Sequence, residues 1–284
     1  MINARTTICC IIGDPVEHSL SPAMHNAAYA ALGLDFAYVV FRVTDVPAAV
    51  AGIRALGIRG SSVTIPHKLA VIPHLDKLDE VAGWIGSVNT IVNDGGALTG
   101  MNTDGAGAAR ALREAGVELA GKRVLILGSG GAARAVTLTL AGRAGVGSIQ
   151  ILGVIEPEME KLAADVRDKA RVAAEWGRME PDRLRDAIAV AEVVIHCTPV
   201  GMHPKVDESA VPKEYWRPGL AVMDIVYNPR ETRLLQEAAA AGCRTVLGFE
   251  MLLNQGILQF EAWTGRPAPA AVMRQALEDW LRGK

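Results

Sequence analysis

Residues 124–136 read VLILGSGGAARAV: a short apolar strand, a corner of Gly128, Ser129, Gly130 and Gly131, and the start of a helix at Ala132. Few sequences constrain a chain more tightly. Glycines at such a corner permit positive φ and close backbone approach, and the helix N-terminus that follows presents unpaired N–H groups to an anion. Strand, glycine turn and helix in this order form the diphosphate cradle of dinucleotide-binding folds, with Ala133 at the third glycine position as an accepted variant. The corner alone is also compatible with a structural βα turn. Its order of elements favours dinucleotide binding by Gly128, Ser129, Gly130, Gly131 and Ala132.

The rest of the chain alternates in the same way. Strand-like runs at Ile8–Ile12, Phe36–Val43 and Ser61–Ile65 are separated by helical spacing over Pro22–Leu32, which Ser21 caps, and over Asp45–Leu56. Asn93-Asp94-Gly95-Gly96 joins Val88–Val92 to Ala97–Gly100 as a hairpin. A second series follows Gly121: strands at Arg123–Leu127, Ser148–Leu152, Val193–Cys197, Ala221–Ile225 and Arg244–Leu247, with helices at Gly131–Arg143 and Glu156–Lys169. Two helices, Glu250–Thr264 and Ala270–Leu281, end the pattern. This is an α/β chain with two layered regions, each built on a mostly parallel sheet covered by helices.

Composition narrows the partners. The 284 residues carry 29 Lys+Arg against 31 Asp+Glu, a formal charge of −2, which leaves no cationic surplus for a nucleic-acid footprint. No apolar run approaches the ~18 residues of a membrane span. After Arg5 the apolar run breaks at Gly13-Asp14-Pro15, unlike the h-region of a signal peptide. The 4 cysteines lack metal or redox spacing, and the 6 histidines form neither HExxH nor a Cys/His cluster. Reduced thiols, a cytoplasmic location, no membrane, no nucleic acid and no metal are the expectations, with a monomer or homodimer as the assembly.

Smaller motifs carry polar chemistry. Ser19 and Ser21 alternate, so in an extended segment both hydroxyls face one way and suit a carboxylate or polyol. Thr64 and Lys68 follow the third strand, and Asp104 opens a helix where a capping role is the simplest local reading. In a dinucleotide fold, about 20 residues past the glycines stands an acid for the ribose 2′-hydroxyl or an Arg for a 2′-phosphate. Here the chain reads Gly153-Val154-Ile155-Glu156, and no cation appears before Lys161. Glu156 and Glu158 repel a 2′-phosphate, so NAD is electrostatically easier than NADP unless a cation arrives from elsewhere in the fold. Both glutamates also suit the start of the next helix.

In order, the chain shows HSLSPAMHN, VTIPHK, IGSVNT, GMNTDGAG, GSGGAARA, TPVGM, DIVYNPRET and GFEMLLNQG. This succession resembles the shikimate dehydrogenase family from about Ile11 to Pro267. The resemblance implies an NADP- or NAD-dependent oxidoreductase that interconverts 3-dehydroshikimate and shikimate in chorismate and aromatic amino-acid biosynthesis. It implies a substrate domain of residues 1–104 with 248–284 around a Rossmann-like domain of residues 105–247. By motif, Ser19 and Ser21 hold the substrate carboxylate, Thr64, Asn89, Tyr227 and Gln255 contact carboxylate or ring hydroxyls, and Lys68 with Asp104 forms the catalytic pair. Ile225 and Gly248 join the glycine corner as cofactor contacts. The Ser-Leu-Ser form looks like the shikimate-type members, since quinate-type relatives tend to have threonine at the second position.

Three positions depart from the family's pattern. Its Asn-Arg-Thr/Ser, whose Arg grips the NADP 2′-phosphate, is Gly153-Val154-Ile155; its Asn before Val-Thr is Ser62; its Asn-Ala-Thr is His196-Cys197-Thr198. A paralogue acting on quinate or a related cyclohexane carboxylate with NAD, and a non-catalytic dinucleotide-binding regulator, are the alternative readings.

Overall fold

The first strand, β1 (Thr7–Gly13), is buried from Cys9 onward. Neighbouring residues of a strand point to opposite faces, so full burial of both Cys9 and Cys10 means that helices cover the sheet on both sides. Burial pushes the two thiols up, to about 12 and about 11, and keeps them protonated. The structure is a computed structural model describing residues 2–283; Met1 and Lys284, the ends of the expected first domain, lie outside them.

After β1 come α1 (Ser21–Ala31), β2 (Phe36–Arg42), α2 (Val46–Ala55), β3 (Gly60–Val63), β4 (Lys77–Leu78), α3 (Glu80–Ile85), β5 (Thr90–Asp94) and β6 (Ala97–Met101). The strands form a six-stranded sheet in the order β2-β1-β3-β5-β6-β4. β2, β1 and β3 run parallel, whereas β5 pairs antiparallel with β3 and forms the anticipated hairpin with β6. Helix α1 starts one residue earlier than its sequence suggests. Leu20 occupies the cap position without a side-chain cap bond, so the Ser21 hydroxyl is not the cap. The third strand also stops short, at Val63, and leaves Thr64 in the turn that follows.

The chain continues through α4 (Asp104–Glu114), β7 (Arg123–Leu127), α5 (Gly131–Arg143), β8 (Ser148–Gly153), α6 (Glu156–Asp165), β9 (Ala173–Arg178), α7 (Pro181–Val190), β10 (Val193–His196), β11 (Ala221–Asp224), α8 (Arg233–Ala240) and β12 (Arg244–Val246). The expected helix to Lys169 gives way at Val166 to a π turn, which ends at Arg171 with φ of 58°. All strand pairs in this second sheet are parallel, in the order β12-β11-β10-β7-β8-β9. That is the dinucleotide-binding order, in which the first strand, β7, has β8 on one side and β10 on the other. Leu125, Leu127, Leu152, Ile188, Val194 and Leu235 belong to the apolar core on this sheet.

Two helices complete the chain, α9 (Gly248–Thr264) and α10 (Ala270–Arg282). The chain divides into a first unit of residues 1–103 with 255–284 and a second of residues 104–254. No helix among the described residues is long and apolar enough to cross a membrane.

Candidate active site

In the first unit, the candidate substrate residues gather at the carboxyl ends of β1 and β3. Gly13 ends β1 beside Thr64, whose Cγ2 would stand 2.3 Å from any Cβ at that position. Thr64 N–H donates to Ile12 O at 3.0 Å, and His67 N–H closes the next turn onto Thr64 O at 2.9 Å. His67 Nε2 lies 2.8 Å from Val43 O, which ties the turn to the end of β2. Lys68 is half-buried in this turn, and its carbonyl accepts from Val88 N–H at 2.9 Å. Ser19 and Ser21 lie where the chain enters α1, and Ser21 N–H donates to Ser19 Oγ at 3.3 Å.

Asn89 is the hub of a buried polar web. Its Oδ1 accepts from Thr103 N–H at 2.8 Å and Thr90 Oγ1 at 2.7 Å, while Nδ2 donates to Thr103 Oγ1 at 2.9 Å and Gln255 Oε1 at 3.4 Å. One turn further along α9, Gln259 Nε2 donates to Thr90 Oγ1 at 2.9 Å and Asn89 O at 3.1 Å. Its Oε1 accepts from Ser62 Oγ at 2.8 Å, and Ser62 accepts from Tyr38 Oη at 2.6 Å. Buried polar groups that are this fully satisfied hold their rotamers. The web therefore fixes the Asn89 and Gln255 carboxamides, and it clasps Thr103, the residue before Asp104. Thr103, Gln259 and Tyr38 were not singled out from sequence. The one available signal was the helical spacing that puts Gln259 on the same face as Gln255.

Within the second unit, Asp104 is buried as the first residue of α4, where the helix dipole favours a negative charge. Burial pushes the Cys197 thiol up, and the charges of Asp224 and Asp104 add to the effect, so Asp104 faces the loop after β10. That loop leans on the glycine corner. Gly128 has φ of 111°, and a Cβ there would stand 3.1 Å from Cys197 O. Gly130 caps α5 with no side-chain bond, and a Cβ on it would meet nothing within 4 Å. The corner thus has open space before a helix N-terminus, at the switch point of the sheet, and it fits a diphosphate.

Ile225 and Gly248 also come together here. A Cβ on Gly248 would lie 2.6 Å from Ile225 O, so only glycine permits this approach. Beside them His196 Nδ1 lies 2.9 Å from Asp224 Oδ1, and Asp224 also accepts from Val226 N–H at 3.0 Å and Thr232 Oγ1 at 2.6 Å. His196 Nε2 meets Thr198 Oγ1, which anchors the loop through the same carboxylate. Tyr227 follows, half-buried, and burial raises its phenol so that it stays a neutral donor.

Residues 11–91 match the model of the shikimate dehydrogenase substrate binding domain, and residues 248–278 match that of the shikimate 5′-dehydrogenase C-terminal domain. A shikimate dehydrogenase (NADP(+)) of Moorella thermoacetica is 47% identical over 280 residues, 98% of this chain and 95% of that protein. The chain belongs to the shikimate dehydrogenase family. A shikimate dehydrogenase solved in complex with NADP+ superposes with a TM-score of 0.91 at 40% identity, covering 99% of this chain and 98% of the other. The Listeria monocytogenes shikimate 5-dehydrogenase, solved in complex with shikimate and NAD, gives 0.90 at 40% identity over 97% and 98%.

Against this family background, two of the departures have a local explanation. Ser62 is absorbed by the Tyr38 and Gln259 hydrogen bonds, and His196 by Asp224 and Thr198. The third, at residues 153–155, supplies no cation of its own at the end of β8. Among the described residues no group of three or more His, Cys, Asp or Glu is placed to hold a metal ion.

Proposed function

We propose that this chain catalyses the reversible reduction of 3-dehydroshikimate to shikimate with a nicotinamide dinucleotide, as a cytoplasmic monomer or homodimer. Residues 1–104 with 248–284 serve as the substrate domain and residues 105–247 as the dinucleotide domain. The observation that supports this reading best is the clasp of Asn89, through both its carboxamide atoms, around Thr103, the residue that precedes the buried Asp104 in the chain.

Ser19 and Ser21 bind the substrate carboxylate through their hydroxyls; the Ser21 hydroxyl is not used as a helix cap and lies beside the Tyr38 phenol. Thr64, Asn89, Tyr227 and Gln255 orient the ring through its hydroxyls and carboxylate. Gly128, Ser129, Gly130, Gly131 and Ala132 hold the diphosphate, with Ile225 and Gly248 against the nicotinamide end. When bound, the nicotinamide supplies or accepts the hydride. Lys68 gives its ammonium proton to the carbonyl oxygen as the alcohol forms, and in the oxidative direction its amine takes the hydroxyl proton. Asp104 acts with Lys68 on the same oxygen, orienting the hydroxyl. General acid–base groups of this kind contribute typically ~10²–10⁴-fold in rate.

The test is a spectrophotometric assay of shikimate and of quinate, each with NAD and with NADP. Turnover of shikimate in excess of quinate is expected, falling by about 10²–10⁴-fold in Lys68→Ala and in Asp104→Asn. Near-normal turnover in Lys68→Ala would sink the acid–base assignment, and faster turnover of quinate would move the chain to the quinate-type members.

A further inference from the structure

The end of β8 is where a dinucleotide fold reads the adenosine ribose. Here Gly153 pairs in register with Arg178 at the end of β9, so the guanidinium that the linear sequence left out of account stands beside the loop from Val154 to Glu156. Arg178 Nε is already hydrogen-bonded and ion-paired to Glu156 Oε1. Two residues on, Glu158 is held by the glycine corner itself, since Ser129 Oγ donates to Glu158 Oε2 at 2.9 Å. Val154 and Ile155 between them are 75% and 48% exposed, apolar surface suited to a purine face. The adjacent groove adds Glu180 and Asp182 to Glu156 against the guanidiniums of Arg178 and Arg183, and Arg183 is packed on the backbone of Gly177.

We propose that this loop selects NAD over NADP: Glu158, fixed by Ser129, accepts the ribose hydroxyls, and Glu156 keeps Arg178 from serving a 2′-phosphate. The proposal rests on the dehydrogenase reading above and concerns its choice of cofactor. A carboxylate accepts hydrogen bonds and has none to give, so it matches a hydroxyl and opposes a phosphate that carries about −1.5 to −2 at pH 7. The diphosphate cradle fits either dinucleotide; the 2′-phosphate does not fit the groups beside it. Several relatives bear NADP in their names, including that of Moorella thermoacetica.

The full-length protein is titrated calorimetrically with NAD+ and with NADP+, and bound NAD+ is displaced with ADP or with adenosine 2′,5′-bisphosphate. Expected are a Kd for NAD+ at least about tenfold below that for NADP+, some 1.4 kcal/mol, and better displacement by ADP. Glu158→Gln with Val154→Arg narrows or reverses the ratio, while Arg178→Ala leaves the weak NADP+ binding unchanged. Equal or tighter NADP+ binding by the unaltered protein overturns the proposal, and so does a loss confined to NADP+ in Arg178→Ala. The unaltered protein decides the matter even if a variant fails to fold. Shikimate turnover with either dinucleotide keeps the dehydrogenase reading intact whatever the ratio; binding of neither undermines both.

Discussion

His25 lies fully buried on α1, stacked on Tyr38 with ring centroids 4.6 Å apart and tilted against Trp263 at 5.1 Å. Neither ring nitrogen has a hydrogen-bond partner among the described residues. Burial pushes its pKa down to about 3, against a smaller upward pull from the nearby Gln259 side chain. The folded protein therefore keeps this imidazole neutral where an unfolded chain, with a histidine pKa near ~6.5, takes up a proton. Between roughly pH 3 and pH 6.5 the unfolded state binds more protons, so stability falls as pH drops through that window, by up to about 1.4 kcal/mol per unit. Above the window the contribution is complete. His25→Phe keeps an aromatic ring against Tyr38 and removes the proton linkage. Urea unfolding between pH 7 and pH 4 is expected to show a shallower loss of stability in the variant, and equal slopes in the two proteins would mean that His25 is charged in the native state.

At the level of elements, the β7–α5 corner separates two tasks of glycine. Gly128 is needed for its φ of 111° and for the approach of Cys197 O, whereas Gly130 has ordinary φ and open space around it. Gly128→Ala is expected to cost about 1–2 kcal/mol in urea unfolding through backbone strain. Gly130→Ala is expected to leave stability nearly unchanged and to weaken NAD+ binding in a calorimetric titration, because its methyl group occupies the space the diphosphate needs. Both glycines were legible in sequence, as were β7, β8, β10 and β11, whose runs of Val, Ile and Leu are buried on both faces of a parallel sheet. β9 was not. It is an edge strand with Ala174 and Gly177 as its buried residues, and its sequence, AAEWGR, carries little of the apolar signal that marks a central strand. α7 escaped for a similar reason, with Leu184, Ala187 and Ile188 as its buried side. Without β9 the position of Arg178 beside Gly153 is invisible, so the cation near the ribose loop emerges only from sheet register. The web through Tyr38, Ser62, Gln259 and Asn89 was hidden in the same sense, because it joins elements distant in sequence and no spacing announces it.

For the whole molecule, the chain crosses between its two units at residues 103/104 and 254/255. The second unit's ends are tied together, since Asn254 Nδ2 donates to Glu114 Oε2 at 3.1 Å. Every residue assigned to the dinucleotide lies within residues 104–254, and Lys68 lies in the first unit with its own sheet and apolar core. Binding and proton transfer should therefore separate on mutation. A ligand that binds only the native state stabilises it by about 2.7 kcal/mol at a concentration of 100 Kd. NAD+ at that excess is expected to raise the unfolding temperature of Lys68→Ala as much as that of the unaltered protein, while the variant's turnover of shikimate is lost. Gly130→Ala is expected to show the opposite imbalance, a diminished NAD+ shift in an otherwise stable protein. Thermal melts with and without NAD+ measure both. A Lys68→Ala protein that no longer responds to NAD+ would place Lys68 among the groups that hold the dinucleotide, and the proton donor would then have to be sought elsewhere in the first unit.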